Sequence, residues 1–113
     1  MIQSISVIDV IKNMLKTKRA KLNIKKILAN APEGKAFWTS DKRKLYNIRD
    51  FVKALETMDE LTFRSHVNSK KNDFTKWINL VLSDKKLSRT LRWTTTRAMT
   101  IQKTKDHLKQ YYI

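Results

Sequence analysis

The sequence predicts a mainly α-helical fold, a compact bundle of about five to six helices with a candidate short β-hairpin near residues 36–47. Apolar residues recur three and four positions apart along most of the chain, which is the spacing of a buried helix face. Gly and Pro occur once each, whereas sandwiches and barrels need many of these residues in their turns. Because 113 residues with 41% hydrophobic content can form one modest core, we expect a single domain over residues 1–113.

The first expected element is a helix in the basic N-terminal segment, residues 1–30. Ser6 is suited to cap it, and its apolar face would consist of Val7, Ile8, Ile11, Met14 and Leu15. A second apolar set, Leu22, Ile27 and Leu28, continues the helical pattern toward Asn30. The run Ala31-Pro32-Glu33-Gly34 then ends it.

The near-neutral middle, residues 31–84, predicts a hairpin and three helices. Residues 36–39 and 45–46 form the two extended pieces of the hairpin. Asn47, Asp59 and either Asn72 or Asp73 can cap the three helices that follow. The first helix has an apolar stripe, and the third has residues predicted to face inward. The apolar residues of the three helices are, in order, Ile48, Phe51, Val52 and Leu55, then Leu61, Phe63 and Val67, then Phe74, Trp77, Ile78, Val81 and Leu82.

Asp84 can cap the last helical region, which belongs to the basic C-terminal segment, residues 85–113. Leu87, Leu91, Ala98, Ile101 and Leu108 recur there at helical intervals. The β-branched run at 94–96 is its weakest point, where the helix could divide in two. The core is predicted to consist of Phe51, Leu55, Phe63, Phe74, Trp77, Ile78, Leu87 and Leu91.

The net charge of +15 is concentrated toward both ends of the chain. Residues 1–30 carry seven basic residues against Asp9, and residues 85–113 carry eight against Asp106, whereas residues 31–84 carry ten against eight acidic ones. Such a surplus repels itself in a compact protein, so its retention favours a polyanionic partner. Nucleic acid is the first candidate.

The candidate contacts lie on the two basic segments, where lysines dominate and act as point charges on phosphates. Trp93 differs from the core aromatics because Arg89, Arg92 and Arg97 surround it in sequence, so it could stack on a base. The full candidate set is Lys12, Lys16, Lys18, Arg19, Lys21, Lys25, Lys26, Lys85, Lys86, Arg89, Arg92, Trp93, Arg97, Lys103, Lys105 and Lys109.

These patterns predict a non-enzymatic, largely sequence-independent nucleic-acid-binding protein, with DNA coating or compaction favoured over RNA. One alternative is an RNA-binding or ribosome-associated protein, and another is an interaction or structural subunit of a larger particle. Each of these three functions is compatible with a homo-oligomer or with a ribonucleoprotein partner. The basic amphipathic N-terminal helix is also typical of helices that lie on anionic lipid, but its apolar face lacks Trp and Phe, so we expect no membrane partner.

Catalysis is not expected. His66, Asn72 and Asp73 are the only residues that resemble a site, and the competing interpretation is that they cap the helix carrying Phe74 and Trp77. The chain has no Cys, two His residues and one Gly, which disfavours a thiol nucleophile, a zinc site and a phosphate-binding loop. We therefore expect no cofactor and no metal. Without Cys, a long apolar run or a signal-like start, we expect an intracellular protein, cytoplasmic or nucleoid-associated.

Two motifs carry a family resemblance. They are Phe63-Arg64-Ser65-His66-Val67-Asn68 and Asn72-Asp73-Phe74 followed by Trp77-Ile78, with Phe37-Trp38, Leu45, Ile48, Phe51, Leu55, Met58, Asp84 and Leu87 around them. Over about residues 37–91 the chain resembles a small helical domain of unknown function from archaea and bacteria. The resemblance implies a compact helical unit and no particular activity.

Overall fold

The computed structural model describes residues 24–113, which contain five helices and two short hairpins. The hairpins pair β1 (Phe37–Trp38) with β2 (Lys44–Leu45) and β3 (Val67–Asn68) with β4 (Lys71–Asn72), both antiparallel. The helices are α1 (Ile48–Thr57), α2 (Glu60–His66), α3 (Asp73–Leu80), α4 (Lys85–Leu91) and α5 (Arg97–Tyr111). The mainly α fold with a hairpin near residues 36–47 is confirmed. The helix predicted from Ser6 lies outside the described residues.

Each of these five helices begins at a polar residue whose side chain accepts a hydrogen bond from the backbone N–H three positions on. Such a cap satisfies one of the N–H groups that the first helical turn leaves unpaired. The caps are Asn47, Asp59, Asn72, Asp84 and Thr96. The first four were predicted. The fifth shows that the threonine run does divide the C-terminal helical region, at residues 92–96.

The helical continuation predicted toward Asn30 is wrong for residues 24–30, which are not helical. Their backbone instead runs beside the end of α5: the Lys26 N–H donates to the Tyr111 carbonyl at 2.7 Å, and the Ile113 N–H donates to the Lys26 carbonyl at 2.9 Å. Ile27, expected to face inward, is 79% exposed. Pairing with a distant segment has replaced the local helical hydrogen bonds that the spacing favoured.

The predicted core is confirmed, since all eight of its residues are buried. Its centre is aromatic: the Phe74 ring centre lies 4.9 Å from that of Phe51 and 5.1 Å from that of Phe37. Two apolar residues of the predicted helices, Leu61 and Ala98, are exposed. Leu61 points outward from α2 at 82% exposure, and Ala98 lies on the outer face of α5.

α5 packs against both α1 and α4, and it runs antiparallel to α1. Its direction is evident because Arg49, early in α1, donates to the backbone oxygen of Ile113, while Lys105 pairs with Glu56 near the end of α1. The buried face of α5 is unusually polar and comprises Thr100, Thr104, His107 and Leu108. The threonines satisfy their hydroxyls within the helix by donating to the carbonyl four residues back. Apolar spacing alone therefore misassigned part of this face.

Candidate nucleic-acid interface

The exposed face of α4 carries a row of cations. Lys85, Arg89 and Arg92 recur four and three residues apart, so they share one side of the helix, and all three are exposed. Leu87 and Leu91 bury the opposite side. None of the three cations lies within 4.0 Å of a carboxylate oxygen in the described chain. Trp93 follows directly and is 79% exposed. We call these four residues the α4 row.

The cations continue from α4 into the cleft that it forms with α5. Lys86 Nζ lies 4.2 Å from the centre of the Tyr111 ring, and Lys103 lines the same cleft of about 280 Å³. One carboxylate, Asp106, lies at this cleft, where it accepts a hydrogen bond from Gln102. The cleft therefore extends the positive surface of the α4 row with two further predicted lysines.

A second basic surface flanks α5 on its other side. Lys105 and Lys109 face Arg49 and Lys53 of α1 across a groove of about 430 Å³. Val52, Leu108, Tyr112 and Ile113 also line it. Lys105 is paired with Glu56 at 3.2 Å, which lowers its availability. Arg49 and Lys53 were not predicted, because they belong to the near-neutral segment 31–84 and candidates were taken only from the two segments with surplus charge. Their i, i+4 spacing on an exposed helix flank would have indicated them.

The predicted lysines nearest the described N-terminal end join this surface. Lys25 Nζ donates to the backbone oxygen of Lys109 at 3.3 Å, and Lys26 Nζ lies 6.0 Å from the centre of the Tyr112 ring. Residues 25–26 are thus brought to the C-terminal end of α5. The other N-terminal candidates, Lys12, Lys16, Lys18, Arg19 and Lys21, lie outside the described residues.

Arg97, one of the predicted nucleic-acid contacts, makes contacts within the fold. One of its terminal nitrogens donates to the Leu55 carbonyl at 2.7 Å, and its Nε lies 4.0 Å from a carboxylate oxygen of Glu60. The carbonyl of Leu55 belongs to the last turn of α1, where a cation complements the helix dipole. The guanidinium therefore holds α1 against the start of α5, while one third of the side chain stays exposed.

Most of the positive charge of the described chain has no acidic neighbour. Five of the 25 Lys and Arg residues precede residue 24, which leaves 20 against nine carboxylates. Within 24–113, ion pairs shorter than or equal to 4.0 Å involve only five of these cations: Arg43, Arg64, Lys71, Arg97 and Lys105. Several carboxylates instead cap helices or lie buried. Only Asp84 is buried among the nine carboxylates, so the surplus of surface cations follows mainly from their greater number.

The geometry of His66 and Asp73 fits the capping interpretation. Asn72 caps α3, and His66 Nδ1 lies 3.0 Å from Asp73 Oδ2 in the first turn of that helix. His66 Nε2 accepts the backbone N–H of Ser40 at 2.9 Å, so we assign the ring proton to Nδ1, which donates to Asp73. Burial alone would raise the pKa of Asp73, but the hydrogen bonds from Lys71 and His66 lower it. Both imidazole nitrogens are engaged, which leaves no free acceptor for a general base.

A second histidine–aspartate pair was not predicted. Asp84 is completely buried, and its Oδ2 accepts from His107 Nε2 at 2.8 Å and from the Tyr112 hydroxyl at 2.6 Å. Its Oδ1 accepts the Leu87 N–H at 3.0 Å as the cap of α4. Burial alone would raise the pKa of Asp84, but these hydrogen bonds outweigh it and hold the pKa well below its usual value. Burial and the adjacent carboxylate raise the pKa of Tyr112. The network fixes α4, and hence the α4 row, to the end of α5.

Other kinds of site find little support in the described chain. Across residues 24–113 there is no group of three His, Cys, Asp or Glu side chains that could hold a metal ion. None of the helices in that range is long and apolar enough to cross a membrane. Comparison with protein-family models, with curated proteins and with solved structures found no match.

Proposed function

We propose that the protein is a non-enzymatic, largely sequence-independent nucleic-acid-binding protein that coats or compacts DNA through phosphate contacts. The observation that carries the proposal is the α4 row, in which three cations share one exposed helix face, have no carboxylate partner and end at an exposed tryptophan. Solvated lysines usually lie among acidic residues of similar number. Here the three cations have no carboxylate partner among the described residues, so a polyanion is the natural counterpart.

The dimensions of the α4 row suit a phosphate backbone. Lys85 and Arg92 are seven residues apart, which corresponds to about 10 Å along a helix. Phosphates on one strand of a duplex follow one another at about 3.4 Å of axial rise, so a row of this length spans a few phosphates, and its three cations can contact up to three of them. Contacts of this kind position a protein and carry no sequence information. The expected binding is therefore strong at low salt and indifferent to sequence.

The test is the affinity for a duplex of about 30 base pairs and arbitrary sequence, measured across a salt series. If six to ten phosphates are neutralised, affinity should fall roughly 10³- to 10⁵-fold between about 50 and 200 mM salt. Replacing Lys85, Arg89 and Arg92 together by Gln should reduce the slope of log affinity against log salt by about 2 to 3, since each phosphate contributes about 0.9.

The matched control removes the same charge elsewhere by changing Lys35, Lys70 and Lys76 to Gln, all of which are exposed and have no carboxylate partner among the described residues. If both triple variants lose the same affinity and the same salt dependence, binding depends on total charge and not on the α4 row in particular. Absence of binding by the wild-type protein at low salt would overturn the proposal. A duplex RNA of equal length, run in parallel, decides between DNA and RNA, because A-form grooves present a different shape to the same cations.

A further inference from the structure

The β1–β2 hairpin has two unlike faces. Residues alternate sides along a strand, and Phe37 and Leu45 accordingly point into the core, where Phe37 packs on Phe74. Trp38 and its cross-strand partner Lys44 point outward. Tyr46, two residues beyond Lys44, lies on the same outer face. Trp38 is 60% exposed and Tyr46 is 41% exposed.

Trp38, Lys44 and Tyr46 form one cluster, which we call the hairpin platform. Lys44 Nζ lies 5.4 Å from the centre of the Trp38 ring and 5.2 Å from the centre of the Tyr46 ring. The ammonium group therefore rests against both rings, in a contact that is weak at an exposed position. Its flexible stem would let it move aside and leave two aromatic surfaces accessible on one side of the hairpin.

We propose that the hairpin platform binds an unpaired nucleobase, with Trp38 and Tyr46 stacking on the base and Lys44 contacting the adjacent phosphate. This inference rests on the proposed function and deepens it, because it assigns single-stranded segments to a surface separate from the α4 row. Stacking on exposed aromatic rings is the usual way in which proteins hold single strands without reading their sequence. The platform supplies both components of such a site, aromatic surface and positive charge.

The surroundings of the platform extend the path for a strand. A groove of about 540 Å³ leads from Lys44 and Tyr46 to Lys53 of α1. Lys53 also lines the groove between α1 and α5, so cations for neighbouring phosphates follow in sequence: Lys44, Lys53, then Arg49 and Lys109.

The carboxylates near the platform are already engaged. Asp50 accepts the backbone N–H of Tyr46 at 2.9 Å, and Asp41 pairs with Arg43 at 2.8 Å. Hydrogen bonds from Arg43 and then from Thr39 lower the pKa of Asp41. The unpaired charges that remain are Lys44 and Lys53 against Asp50, so the local balance is positive and disfavours a cationic ligand such as a methylated lysine. An anionic strand with exposed bases fits both the charge and the aromatic rings.

The experiment compares two single-stranded ligands of equal length and charge: oligothymidylate, and the same backbone with abasic sites in place of every base. The ratio of the two affinities isolates the contribution of bases from that of phosphates. For the wild-type protein we expect oligothymidylate to bind about 10-fold or more tightly. Replacing Trp38 and Tyr46 together by Ala should bring the ratio close to one, whereas replacing both by Phe should preserve most of it.

The matched control is Leu61→Ala with Leu80→Ala, which removes comparable exposed apolar surface from α2 and α3. It should leave the ratio unchanged. Because Trp38 and Tyr46 lie outside the core, their Ala variant should keep the wild-type unfolding temperature within a few degrees, which a thermal scan checks. The proposal is wrong if the wild-type protein binds both strands equally well. It is also wrong if the double Ala variant still prefers oligothymidylate as strongly as the wild-type protein does.

The two proposals fail in different ways. If the triple Gln variant of the α4 row weakens duplex binding but the base-dependent ratio does not depend on Trp38 and Tyr46, the proposed function stands and the platform is wrong. If the ratio depends on the platform while the α4 row has no effect on duplex binding, the platform stands and the site of the proposed function is wrong. If neither duplex nor single strand binds at low salt, both are overturned.

Discussion

The two histidine–aspartate pairs have the same chemistry and opposite surroundings. In each, a carboxylate at the start of a helix receives an imidazole hydrogen bond, at 3.0 Å for Asp73 and at 2.8 Å for Asp84. The Asp73 side chain is 29% exposed and also contacts the exposed Lys71 at 2.9 Å. Asp84 is fully buried and is held by His107, Tyr112 and its own helix.

Both pairs connect distant parts of the chain, so the difference between them lies in their exposure. His66 and Asp73 join α2 to α3, and His66 also accepts the N–H of Ser40, 26 residues earlier. Asp84 lies 23 residues from His107 and 28 from Tyr112, so its network ties distant parts of the chain together. A buried carboxylate cannot exchange its partners for water, whereas an exposed one can. Burial, and not the identity of the pair, should therefore decide how much stability each one contributes.

The largest effect is expected from Asp84→Ala. It leaves His107 and Tyr112 buried without their acceptor and removes the cap of α4, so we expect a loss of about 3 to 5 kcal/mol in the free energy of unfolding. Urea denaturation measures this. Asp106→Ala, which removes an exposed carboxylate from α5, is the control and should cost little. A loss for Asp84→Ala no greater than that of the control would show that the buried network is dispensable.

The second expectation concerns how the free energy of unfolding depends on pH in acid. Because the folded-state pKa of Asp84 is below its unfolded value of 3.8, its contribution to stability is complete above that value and is lost as pH falls toward the folded-state pKa. The free energy of unfolding should therefore decline below about pH 4. In Asp84→Asn, which retains an oxygen to cap α4 but cannot titrate, the decline should be shallower. Equal slopes in the variant and the wild-type protein would remove Asp84 from the account of acid sensitivity.

The smallest effect should come from Asp73→Asn. Its carboxylate is partly exposed and its pKa is lowered in the same direction, but water and salt can replace the partners that it loses. We expect a loss of about 1 kcal/mol or less, reduced further at about 1 M salt. The same salt change should leave the cost of Asp84→Ala nearly unaltered. If Asp73→Asn proves as costly as the Asp84 change, exposure is not what separates the two pairs.

Much of the fold could be predicted because its signals are local. A cap and the N–H that it accepts are three residues apart, and the inward stripe of α1 repeats within a few turns, so Asn47, Asp59 and Asp84 were recognisable as caps from the sequence. The network around Asp84 was not recognisable, since nothing near residue 84 indicates that His107 and Tyr112 will converge on it. The backbone pairing of Lys26 with the end of α5 was missed for the same reason.

The residues of the candidate site also differ in whether local sequence or distant contacts determine their role. The α4 row was predictable because its cations share one short helix, but the role of Arg97 depends on a carbonyl of Leu55, which lies 42 residues earlier. The spacing of Arg49 and Lys53 could have indicated a basic flank of α1, but not that α5 would bring Lys105 and Lys109 beside it. Composition reveals that positive charge is in excess. Only the packing of α1, α4 and α5 reveals which of those charges share a surface.

The three tryptophans give the unlabelled protein an optical readout of its own. Trp77 is buried, and its indole nitrogen donates to the Lys35 carbonyl at 2.9 Å, so its emission should be blue-shifted and resistant to iodide. Trp38 and Trp93 face water on the hairpin and after α4, and their emission should be red-shifted and readily quenched. Changes in the quenchable fraction therefore follow events at the surface, while the blue-shifted fraction follows the integrity of the core.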